Sequence, residues 1–64
     1  MVDPQASLRR YESDVKYYHK EIDEFKEKLK SETDESAKKH LEKLLLETQR
    51  ALAMVLQKID ELEN

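Results

Sequence analysis

The sequence predicts an all-α protein: an antiparallel two-helix hairpin of coiled-coil type, completed into a helical bundle by dimerisation or by a partner helix. Three observations carry this. Apolar residues recur at alternating spacings of three and four through most of the chain, the period of a helix that buries one stripe. That stripe changes phase once, near the middle. The chain also has no glycine, and its single proline is Pro4, so neither half carries an internal helix breaker.

The first element rests on Leu8, Tyr11, Val15, Tyr18, Ile22, Phe25 and Leu29, whose gaps alternate three, four, three, four without a break. A strand would alternate every second residue, so this pattern specifies a helix. Asp3 followed by Pro4 supplies an N-cap and a first-turn residue with its φ already set. The expected span is 4–31.

The second stripe is Leu41, Leu45, Thr48, Leu52, Val55, Ile59 and Leu62. Continuing the first stripe in steps of seven from Leu29 would place core residues at 36 and 43, where Ser36 and Lys43 stand. One straight helix would therefore send its two stripes to different faces, and a break belongs between them. The segment "SETDES", residues 31–36, offers short oxygen-bearing side chains that cap a new helix. The turn is expected at 33–36 and the second helix at 37–63. No glycine is present to take a left-handed C-cap, so the turn is less well specified than its helices. Two long helices from different chains would satisfy the same stripes.

In an antiparallel pair, residues of one layer have indices with a constant sum. Leu29 pairs with Leu41, Phe25 with Leu45, Ile22 with Thr48, Tyr18 with Leu52, Val15 with Val55, Tyr11 with Ile59 and Leu8 with Leu62, and every sum is 70. Within these layers only Thr48 is polar. The whole chain of 64 residues thus reads as a single helical-hairpin domain.

The hairpin leaves a surplus. In a chain that is 42% charged, the stretch "KLLLETQRALAMVL" carries apolar side chains around most of one helix. At roughly 100° per residue, Leu44 and Ala51 widen the core stripe on one side and Leu56 widens it on the other. Leu46 and Ala53 form a strip beyond Leu56, and Met54 lies nearly opposite the core. Contiguous apolar surface of this kind marks a partner. Tyr17, beside Tyr18 but off the stripe, is a further exposed contact. The expected partner-binding residues are therefore Tyr17, Leu44, Leu46, Ala53, Met54 and Leu56. The expected partner is a second copy, as in a four-helix bundle, or a helix of another protein.

Composition narrows the remaining classes. Residues 1–32 carry 7 basic and 8 acidic side chains and residues 33–64 carry 5 and 7, so neither half offers the basic field that a nucleic-acid backbone rewards. No apolar run reaches the ~20 residues of a membrane span, and the opening "MVDPQASLRR" lacks the apolar core of a signal peptide. There is no cysteine, which removes disulfides and thiolate metal sites and fits a reducing, cytoplasmic compartment. His19 and His40 lack ligand-spaced companions. No phosphate loop, nucleophile triad or paired-carboxylate site is present, so neither a catalyst nor a cofactor is expected. The acidic residues are assigned to i,i+4 pairs, Glu12–Lys16, Glu24–Lys28 and Glu35–Lys39, worth about 0.2–0.5 kcal/mol each.

Over "LRRYESDVKYYHKEIDEFKEKL" the chain resembles the first helix of tubulin-binding cofactor A, the small helical chaperone family of the tubulin folding pathway. The matching features are Leu8-Arg9-Arg10, Tyr17-Tyr18, Glu21-Ile22 and the charged heptads running to Leu29, followed by Lys38-Lys39 at the opening of the second helix. The likeness extends over residues 8–56. It implies a chaperone that binds β-tubulin. This chain departs from that pattern in having a shorter interhelix loop and no third helix, and the strip of Leu44, Leu46, Ala51, Ala53 and Leu56 would be where such a helix packs. Length and plan also match a homodimeric regulatory or scaffolding hairpin of the Rop type, or an engineered coiled-coil module.

Overall fold

In a computed structural model, which describes residues 4–63, the chain forms α1, Pro4–Ser31, and α2, Glu35–Glu63. The two helices pack side by side as an all-α hairpin measuring 50 × 17 × 14 Å. A helix of this length spans roughly 42 Å at 1.5 Å per residue, so the long dimension is one helix and the others are the width of the pair. Residues 32–34 alone connect the helices, which makes them antiparallel.

α1 begins on Pro4 and ends with Lys28 and Lys30 in its last turn, where positive charge complements the partial negative charge of the carbonyl end. The expected N-cap Asp3 lies outside the described residues.

The connection is tighter than the sequence suggested. Glu32 and not Thr33 opens it, and Glu35 and Ser36 are already helical, so α2 starts two residues before the expected position. Glu32 itself explains why. Its backbone N–H still donates to the Lys28 carbonyl at 3.0 Å, while its side-chain Oε1 accepts the Thr33 N–H at 3.1 Å and the Asp34 N–H at 3.0 Å. One carboxylate thus satisfies the donors exposed where the chain reverses. The Asp34 carbonyl then accepts the Lys38 N–H at 2.9 Å, making Asp34 the N-cap of α2. Among the described residues none has positive φ, so the turn needs no glycine.

The core sits mid-hairpin and is small. Among the described residues only Ile22 and Leu52 are buried, at 7% and 8% exposure. The other stripe residues are half-buried, except Leu62, which is exposed in the last turn of α2. Two helices expose too much surface to hide a whole face of either. Thr48 fits its apolar layer because its hydroxyl donates to the Leu44 carbonyl at 2.8 Å, satisfying the polar atom within α2.

Candidate association surface

The flanks of the hairpin differ. On one side, Ser7, Asp14 and Glu21 of α1 and Ala37, Leu44 and Ala51 of α2 are all half-buried. On the other, Glu12, His19 and Lys26 of α1 and Glu42, Gln49 and Leu56 of α2 are all exposed. The helices have rolled so that the apolar pair Leu44 and Ala51 turns inward. That roll turns Leu56 outward.

The six expected contact residues therefore separate. Leu44 belongs to the closed flank of the hairpin. Leu46 and Leu56 each remain 47% exposed and, with the exposed Ala53 between them, form a strip one heptad and a half long on the open flank. Met54 is 65% exposed on the far side of α2, away from that strip. Tyr17 is 58% exposed on α1 and stacks edge-on against Tyr18, with ring centroids 5.7 Å apart. Its hydroxyl titrates above the ordinary 10.0, chiefly because the Glu21 carboxylate one turn on disfavours a second negative charge. The structure thus brings together Leu46, Ala53 and Leu56 and leaves Tyr17 and Met54 separate from them.

Charge runs in sequence along α2. Its first turns hold Lys38, Lys39 and Lys43 against Glu35 and Glu42, and its last turns hold Asp60, Glu61 and Glu63 against Lys58, so the start is weakly basic and the end acidic. Its final turn contains no basic residue, the less favourable arrangement for the carbonyl end of a helix. Short-range ion pairs form at i,i+3 spacing, among them Glu27–Lys30 at 3.2 Å, Glu35–Lys38 at 3.8 Å and Lys58–Glu61 at 3.8 Å. Glu35 meets Lys38 and not the expected Lys39, and exposed pairs of this kind contribute little to stability.

Among the described residues no group of histidine, cysteine, aspartate and glutamate side chains is arranged to hold a metal ion, and no helix is long and apolar enough to cross a membrane. His19 and His40 are both exposed. No family model, curated protein or solved structure matches the chain. The fold and the surface together define a helical hairpin with a small internal core and a second, unpartnered apolar strip.

Proposed function

We propose that this chain is a protein-association module whose open flank of α2, through Leu46, Ala53 and Leu56, receives another helical surface. The observation that carries this reading is the contrast between an interior of two buried side chains and two outward leucines left half in water. Fully burying a leucine is worth roughly 1.5–3 kcal/mol, so finishing the burial of Leu46 and Leu56 contributes ~1 kcal/mol or more from each. A hairpin core of this size rarely supplies more than ~3–5 kcal/mol alone, so association supports folding. The module acts by binding and needs no cofactor. The absence of cysteine supports a cytoplasmic setting.

Within this reading the narrower role of a β-tubulin chaperone rests on the resemblance of residues 8–56, which implies a third helix packed on the face of Leu44, Leu46, Ala51, Ala53 and Leu56; of that face, Leu46, Ala53 and Leu56 line the open flank. The test is sedimentation of the purified chain alone and with purified tubulin. We expect an assembly larger than one chain in at least one of the two, lost on replacing Leu46 and Leu56 together by glutamate and retained on replacing Arg50 and Gln57 by glutamate. A wild-type chain that stays monomeric and ignores tubulin would overturn the reading.

A further inference from the structure

We infer that the occupant of the open flank is a second copy of this chain, laid antiparallel along α2 so that Leu46 meets the partner's Leu56 and Gln49 meets the partner's Ala53. The inference rests on the association reading above and commits it to one partner and one orientation.

Two independent observations favour it. The first is area. The chain exposes 5342 Å², whereas a compact monomer of 7.7 kDa exposes only ~4,300 Å². The excess of ~1,000 Å² is close to the ~800 Å² that each partner contributes to a standard stable interface. The strip lies roughly 100° around α2 from the stripe that faces α1, near the right angle at which a four-helix bundle places a second neighbour. The corresponding flank of α1 carries Glu12, Lys16, His19 and Lys26, which is polar, so the apolar contact is α2 on α2.

The second observation is charge. Because α2 carries Lys39 and Lys43 beside Glu42 towards its start and Asp60 and Glu63 towards its end, an antiparallel copy lays the two lysines of each helix over the acidic end of the other. Lys39 falls opposite the partner's Glu63, and Lys43 flanks the partner's Asp60, which offsets the approach of Glu42 to that same aspartate. A parallel copy stacks like charge on like at both ends, so the sequence of charges selects the orientation. Arg9 and Arg10 of α1 stand at the same end of the hairpin as the acidic end of α2, and Lys38 pairs with Glu35 within α2, so Lys39 and Lys43 are the lysines that meet the partner's acidic end.

A chain without cysteine lets single replacements report the geometry. Gln49→Cys and Ala53→Cys chains, mixed and gently oxidised, should give the mixed disulfide as the main product, with sedimentation showing two chains before oxidation. Lys39→Glu with Lys43→Glu should weaken the dimer about tenfold or more, and mixing that variant with Asp60→Lys plus Glu63→Lys should restore it. This rescue separates a charge effect from a folding defect. Dominant Gln49→Cys homodisulfides would overturn the orientation and leave the association surface standing. A monomer that binds tubulin through Leu46 and Leu56 would overturn the second copy while leaving the earlier reading intact. A dimer indifferent to glutamate at Leu46 and Leu56 would overturn both.

Discussion

Thr48 and Tyr17 show how single residues behave at opposite sides of this small fold. Thr48 turns its hydroxyl back onto the Leu44 carbonyl, so a polar atom enters the seam with its hydrogen bond already made. Tyr17 does the reverse and keeps its ring half in water, its hydroxyl held up in pKa by Glu21. Because the raised value favours the neutral phenol in the folded state, whatever stability it lends is present below the ordinary 10.0 and fades as pH rises through the higher folded value. Nothing changes near neutrality. Glu21→Gln should lower the Tyr17 midpoint, read by the ultraviolet absorbance of the phenolate, and a midpoint that does not move would show that Glu21 is not the source.

At the scale of the helices, the expected register places Phe25 against Leu45 and Tyr18 against Leu52. Ile22 and Leu52, the two buried side chains, fall in adjacent central layers of that register. Nuclear Overhauser contacts between the Phe25 ring and Leu45 methyls, and between the Tyr18 ring and Leu52, are the expected result; contacts displaced by a whole heptad would refute the pairing. The helices themselves were legible because seven apolar residues at heptad spacing admit no other regular structure, and Pro4–Ser31 is the span that the stripe and Pro4 imply. The connection was less legible. It is held by Glu32 folding its carboxylate onto the next two amides, and a glutamate in a glutamate-rich chain carries no signature of that role. The open flank was half legible: angular position puts Leu44 and Leu56 on opposite shoulders of the stripe, but the roll that half-buries one and exposes the other belongs to the pair of helices.

For the whole molecule, an internal core of two side chains predicts that thermal stability depends on concentration. If two chains of 64 residues melt as one unit, a tenfold rise in concentration corresponds to about 1.4 kcal/mol, and the melting temperature should climb by about 5 °C. Circular dichroism melts over two decades of concentration would measure this. A flat response would identify a monomer whose outer leucines contribute nothing to its folding.

The single occurrence of the strip on each chain has one more consequence. The proposed antiparallel pair, related by a twofold axis, uses the same strip from both members, and the faces turned away from it are mostly charged, broken by Met54, Tyr17 and Leu62. Growth would end at such a pair, because the other exposed apolar side chains among the described residues stand singly and form no second strip to recruit a third chain and begin a filament. A pair that hides the outer leucines in this way would also protect the protein from aggregating through them.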